Sequence, residues 1–178
     1  MRHIFNNTCP IRVPNGTLVS PFLNSKDCTS GLPLKFIDDF SLSAGTIEAG
    51  TESKIHVMPF VTQVTFVRKG KLDVRMKGAE DETLYYLRVG PEQSIITRPG
   101  TLLQLINRGD NSCKVLYIVS PPYIYEMLKG KVIYDDSVVL DESWEDLRES
   151  GWKPARKMPT IEERQRAIKR LAERDFQS

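Results

Sequence analysis

Gly50-Thr51-Glu52-Ser53-Lys54-Ile55-His56-Val57-Met58-Pro59-Phe60-Val61-Thr62-Gln63-Val64-Thr65-Phe66-Val67-Arg68-Lys69-Gly70 is the stretch on which the reading of this chain turns. Two runs, Ser53–Met58 and Gln63–Arg68, have the β-branched and aromatic content of strands. Ala49-Gly50 and Lys69-Gly70 punctuate the ends as turns. In a strand, residues two apart face one side, so Lys54, His56 and Met58 share a face, as do Gln63 and Thr65.

The same period continues on both sides. Further candidate strands are Leu34–Ile37, Phe40–Glu48, Lys71–Lys77, Thr83–Val89, Ser94–Arg98, Thr101–Asn107 and Lys114–Val119. Gly90-Pro91, Pro99-Gly100 and Gly109-Asp110-Asn111 separate several of them. Many short strands at near-even spacing predict an all-β sandwich or barrel, and a double-sheet jelly roll fits the number.

The quoted stretch resembles the first motif of the cupin superfamily: Gly, five residues, His-x-His, three or four residues, Glu, six residues, Gly. Gly50, His56 and Gly70 stand at that spacing, with Met58 at the second His and Gln63 at the Glu. Pro99-Gly100-Thr101-Leu102-Leu103-Gln104-Leu105-Ile106-Asn107 resembles the second motif, Pro-Gly, two residues, His, three residues, Asn, with Leu103 at the His. The resemblance covers about residues 40–120. It implies a single-domain, RmlC-like jelly roll, a double-stranded β-helix with the motif side chains pointing into the barrel. Dimerisation is expected too, since cupin sheets commonly pair.

Composition sets outer limits. The chain has 178 residues, 40% hydrophobic and 27% charged, which suits a soluble globular protein. A formal net charge of +2 does not argue for a nucleic-acid or membrane partner. No apolar run approaches the roughly 18 residues of a spanning helix. Met1 to Asn7 lacks the apolar centre of a signal peptide, and Cys9, Cys28 and Cys113 form no Cys-x-x-Cys pair. A cytoplasmic location with free thiols is expected.

Three segments follow: an N-terminal arm at 1–33, the barrel at 34–128 and a C-terminal extension at 129–178. The arm is rich in Asn, Pro, Gly and Ser and reads as irregular structure with one edge strand. In the extension, one helix is predicted over Glu142–Ser150, with Asp141 as N-cap. A second runs over Ile161–Phe176, with Thr160 and Glu163 as a capping box. Ile161, Ile168, Leu171, Ala172 and Phe176 form its apolar stripe. Its arginines alternate with acids and read as a solvated face. Asp135-Asp136 reads as turn chemistry.

By the resemblance, His56, Met58, Gln63 and Leu103 line one cavity, which in the family holds a divalent metal through three His and one Glu. Counting excludes that set within one subunit, because His3 and His56 are the only histidines. No cofactor is therefore expected; a divalent metal, if present, falls to His56 and Gln63, a poor match to any common ion. Three readings stay open for His56: that reduced metal site, an interior His hydrogen-bonded to Gln63, and a metal-free working pocket. For the last, His56, Tyr117 and Gln63 are the candidate catalytic residues. His56 titrates near neutral pH and serves as base, Tyr117 supplies a phenol, and Gln63 orients or donates. Met58, Thr65, Leu103, Leu105 and Lys54 are the candidate ligand-binding residues.

The expected function is thus a cytoplasmic, homodimeric cupin that binds a small sugar-like or carboxylate metabolite. Its enzymatic version is a metal-independent isomerase, epimerase or lyase, similar to His-based cupin sugar isomerases. Two alternatives stand beside it: a non-catalytic sensing or accessory module, and a dioxygenase with an atypical ligand set.

Overall fold

The computed structural model describes residues 9–23, 39–129, 131–149 and 158–175. The strands are β1 (Ile11–Arg12), β2 (Leu18–Leu23), β3 (Ser41–Ile47), β4 (Thr51–Glu52), β5 (His56–Val57), β6 (Thr62–Lys69) and β7 (Leu72–Lys77). They continue as β8 (Tyr85–Val89), β9 (Ser94–Thr97), β10 (Leu102–Asn107), β11 (Cys113–Ser120), β12 (Tyr125–Leu128), β13 (Lys131–Asp135) and β14 (Val138–Val139). Two helices follow, α1 (Trp144–Glu149) and α2 (Ile161–Asp175).

One sheet runs β1-β2-β3-β11-β6-β9, the facing sheet β14-β5-β10-β7-β8 with β4 also on β10, and β12-β13 is a separate hairpin. Every pairing that involves β10 or β11 is antiparallel. The core between the sheets is built from alternate residues: Val67 on β6, Leu72 and Val74 on β7, Leu103 and Leu105 on β10, and Val115 on β11. The opposite face of the second sheet is covered too. Leu102 and Val57 pack there against Val138, Trp144 and Leu147. With both faces covered, every residue of β10 is buried.

The motif positions have structural reasons. Gly70 has φ +89°, and a Cβ there would sit 3.1 Å from the Cys113 Cα. Gly100 has φ +82°, and its N–H donates to the Met58 carbonyl at 2.9 Å, which closes the end of β5. Asn107 ties a turn together: its amide donates to Ile47 O (3.0 Å) and Asn111 O (2.9 Å), and its oxygen accepts from Gly109 N (3.0 Å).

Several expectations change. Of the predicted strand Ser53–Met58 only His56–Val57 is strand (β5), and β4 (Thr51–Glu52) lies just before it. Ser53 N–H bonds Leu105 O at 2.8 Å, while Lys54 N–H leaves the sheet to bond Asn15 O at 2.8 Å. The barrel reaches beyond 34–128, because β1 and β2 extend the first sheet and β14 the second. Tyr125–Leu128 forms strand β12. The first helix is capped by Ser143, not Asp141: Ser143 Oγ accepts from Asp146 N, and Ser143 N donates to Asp146 Oδ2, both 3.2 Å. The Thr160–Glu163 capping box forms as its spacing predicts. Predicted strand Leu34–Ile37, Ser150 and Phe176 lie outside the described residues.

The second helix does not present a merely solvated basic face. Arg164 pairs with Asp136 at 3.1 Å, and Arg170 and Arg174 pair with Glu126 at 3.0 and 2.7 Å. Asp136 is 0% and Glu126 2% exposed, so Asp136 is a buried ion-pair partner rather than a turn residue. The apolar contact is narrower than predicted. Ala167 and Leu171 pack on Ile124, whereas Ile161 is 61% exposed. Among the described residues no helix is long and apolar enough to cross a membrane.

Candidate functional site: a closed chamber at one end of the barrel

The β1–β2 hairpin turns at Val13-Pro14-Asn15-Gly16-Thr17, with Gly16 N bonded to Val13 O at 2.8 Å and Val13 N to Thr17 O at 3.0 Å. This turn delivers Asn15 to the barrel. Asn15 Oδ1 accepts from Thr17 N (3.0 Å) and Thr17 Oγ1 (2.9 Å). A backbone N–H can only donate, so the oxygen must face Thr17 and the amide nitrogen must face inward. There Nδ2 lies 3.2 Å from His56 Nε2.

His56 is thereby held in one tautomer. Its Nδ1 is 2.9 Å from the Lys54 carbonyl oxygen, which accepts only, so Nδ1 carries the hydrogen. Nε2 is a lone pair that receives the Asn15 N–H. Burial drives the pKa of this ring below its ordinary 6.5, and the Lys54 carbonyl opposes that shift in part. The expectation of a His titrating near neutrality is corrected: at pH 7 His56 is neutral, with its basic nitrogen covered.

Of the three readings open for His56, the hydrogen bond to Gln63 does not form: the ring nitrogens of His56 face Asn15 and the Lys54 carbonyl. Gln63 Nε2 donates instead to Thr65 Oγ1 at 3.1 Å, within one strand face. Thr65, 0% exposed, acts behind Gln63. Leu103 is also 0% exposed and belongs to the same hydrophobic core as Met58, but it does not line the chamber. Lys54 is exposed: its backbone serves both Asn15 and His56, and its side chain does not line the cavity. The reason is the break after β4, which removes Lys54 from the alternation that would have aimed it inward.

What remains is a chamber of about 60 Å³ lined by His56, Met58, Gln63, Leu105 and Tyr117, together with Asn15, Thr17, Ser43, Tyr123 and Ser137. Sequence reasoning missed Asn15, Tyr123 and Ser137 as lining. The Asn-Gly pair between apolar Val13 and Leu18 was the available signal for a hairpin turn. No signal of spacing connects Ser137 to His56. Tyr117 pairs with Ser43 on β3, and its ring lies over Gly45, where any Cβ would collide with it. Its Oη is buried, and although the Thr17 hydroxyl lies beside it, Oη makes no well-formed hydrogen bond. Burial raises the Tyr117 and Tyr123 pKa values, so both phenols are neutral donors at pH 7.

A metal does not fit these donors. His56 Nε2 is engaged by Asn15, Gln63 offers only one neutral amide oxygen, and Leu103 and Met58 offer no hard ligand. Among the described residues no group of three or more His, Cys, Asp or Glu is placed to hold a metal ion.

Comparison with known proteins found no matching family model and no matching curated protein. Solved structures do match. A mutant of Bacillus subtilis oxalate decarboxylase OxdC is similar at TM-score 0.57 and 16% identity, over 75% of this chain and 30% of that one. A domain of Drosophila melanogaster CENP-C is similar at TM-score 0.50 and 13% identity, over 62% and 71%. Oxalate oxidase in complex with glycolate is similar at TM-score 0.48 and 21% identity; there the chain spans 53% of the other's length. With two facing antiparallel sheets and both motif turns in place, this is a cupin-fold protein. Its two sheets form a double-stranded β-helix, with the N-terminal hairpin at the edge of the first sheet.

Proposed function

We propose that the barrel binds a small hydroxylated metabolite in the His56 chamber, without metal. The observation that carries this is the Tyr117 hydroxyl, a buried donor of a chamber-lining residue that makes no well-formed hydrogen bond among the described residues. A ligand oxygen supplies the missing acceptor, and leaving such a group unpaired costs roughly 1–3 kcal/mol. No Lys or Arg lines the chamber, so a carboxylate would be buried there without a countercharge. This favours a sugar-like or hydroxy-carbonyl compound over an acid. The volume of about 60 Å³ is far below the roughly 300 Å³ of ordinary drug-sized sites, so the ligand has few heavy atoms or the Asn15 turn moves to admit more.

The enzymatic version, an isomerase, epimerase or lyase, is favoured by one arrangement: a neutral imidazole and two neutral phenols, Tyr117 and Tyr123, lining the same chamber. For His56 to take a proton, Asn15 must first release Nε2. A sensing or accessory role needs no such movement. The fold serves both kinds of protein, since the similar solved chains include an oxalate decarboxylase and a CENP-C domain solved bound to CAL1.

The experiment is a thermal-shift and ligand-observed NMR screen of small polyols, hydroxy-ketones and hydroxy acids on the full chain. Neutral hydroxylated compounds bind, and Tyr117→Phe weakens them about tenfold, or about 1.4 kcal/mol, while leaving stability intact. Acids binding more tightly than neutral compounds would overturn the choice of class. A homodimer is proposed on the apolar residues of the edge strands β8 and β9: Tyr86 is 68%, Ile96 59% and Tyr85 42% exposed. Light scattering that gives a monomer mass at micromolar concentration would reject it.

A further inference from the structure

Three carboxylates are buried on the β12–β13 hairpin and its exit: Glu126, Asp135 and Asp136. Two are neutralised from outside the barrel by α2, Asp136 by Arg164 and Glu126 by Arg170 and Arg174. The third is not. Asp135 is 8% exposed, and its Oδ1 accepts from the Ser137 N–H, while among the described residues no arginine or lysine pairs with it. The phenol of Tyr123 lies against it, and Oδ2 makes no well-formed hydrogen bond. A buried carboxylate without a countercharge is costly, and proteins that keep one ordinarily supply a cation or a donor.

Asp135 lines a second cavity, of about 30 Å³, with Tyr123, Tyr125, Ile11, Leu42 and Val132. This cavity adjoins the His56 chamber, because Val13, Val19, Ser43 and Tyr123 line both. Its chemistry is one carboxylate, two aromatic rings and aliphatic walls. That combination suits an organic ammonium group: the charge meets the carboxylate, the rings favour a cation, and the apolar walls favour carbon over hydrated inorganic ions.

We propose that Asp135 and Tyr123 form an ammonium subsite contiguous with the His56 chamber, and that the ligand is a small primary amine bearing a hydroxyl group. The hydroxyl meets the Tyr117 end and the ammonium meets Asp135. This rests on the chamber reading above and adds the charged end of the ligand. Burial, which lifts the Asp135 pKa from 3.8 to about 6, leaves the carboxylate ionised at pH 7 and ready for a cation.

The test uses the full chain at pH 7.5, with ethanolammonium chloride as probe and ethylene glycol and potassium chloride at matched ionic strength as controls. Ligand-observed NMR and calorimetry give the affinities. Ethanolammonium is expected to bind saturably and at least about tenfold more tightly than ethylene glycol. Asp135→Asn is expected to remove that advantage, and Val132→Phe, which fills the subsite with the carboxylate intact, to do the same. Should Asp135→Asn not fold, Val132→Phe decides. Equal binding of the two probes, an affinity insensitive to both variants, or full competition by potassium overturns the subsite. If ethylene glycol and other neutral hydroxyl compounds still bind, the chamber reading stands while the subsite falls. If nothing binds, both fall.

Discussion

The inside of the barrel and the outside of its C-terminal hairpin bury ionisable groups in opposite ways. Under α2, Asp136 receives a two-pronged guanidinium, with Arg164 Nε at 3.1 Å from Oδ1 and Nη2 at 3.3 Å from Oδ2, plus the Ile124 N–H at 2.8 Å. In the chamber, His56 has no charge partner among the described residues and stays neutral because burial lowers its pKa, against the Lys54 carbonyl, while Asn15 covers Nε2. The first region spends arginines to fix a helix in place. The second keeps polar groups uncompensated, and such groups are the usual mark of a place that meets a ligand.

The largest expected effect breaks the paired side. Arg164→Leu strands the Asp136 carboxylate at 0% exposure and also releases the Pro122 carbonyl, so unfolding in urea should show a loss of about 3–5 kcal/mol. A loss under 1 kcal/mol would mean that α2 is not held by this pair. On the unpaired side the sign reverses. The Asp135 pKa rises from 3.8 to about 6, so ionisation at pH 7 costs the fold about 3 kcal/mol. Asp135→Asn should therefore stabilise the ligand-free protein at pH 7 by about 1–3 kcal/mol, less whatever the Ser137 contact loses.

Asn15→Ala is expected to cost about 1 kcal/mol, since one buried hydrogen bond is lost. It should also raise the His56 pKa toward 6.5, read from imidazole nitrogen shifts by NMR. An unchanged pKa would show that burial alone keeps the ring neutral.

The pH profile sharpens the contrast at the smallest scale. His56 has a folded pKa below its unfolded 6.5, so the unfolded chain binds more protons and stability falls as pH drops through 6.5. Asp135 has a folded pKa above its unfolded one, so between about 6 and 3.8 the folded chain binds the extra proton and acid stabilises it. Stability should fall from pH 7 to about 6 and then flatten, measured by denaturant midpoints across pH. His56→Gln should abolish the first slope and Asp135→Asn the flattening.

Much of the fold was legible because period and punctuation are local properties. The strands from Thr62 to Ser120 answer to alternation, and Gly70, Gly100 and Asn107 answer to turns that constrain backbone geometry. The candidate site was legible only along single strands. His56, Met58, Gln63, Leu105 and Tyr117 line the chamber that strand periodicity and the cupin pattern anticipate. Lys54 and Leu103 do not: alternation fails where the chain leaves the ladder at residue 54, and Leu103 is packed within the hydrophobic core.

By itself, the sequence determined a cupin barrel with an emptied ligand set, since glycine conformations, strand period and the presence or absence of a histidine are all carried by individual positions. Only the tertiary structure decided what replaces that set. Asn15 reaches His56 across 41 residues, and Arg164 reaches Asp136 across 28. Asp135 is left without a countercharge because α2 docks on its neighbours and not on it. Hydrogen bonds and charge pairs depend on distances of about 3 Å between groups far apart in the chain. Local pattern carries no record of those distances.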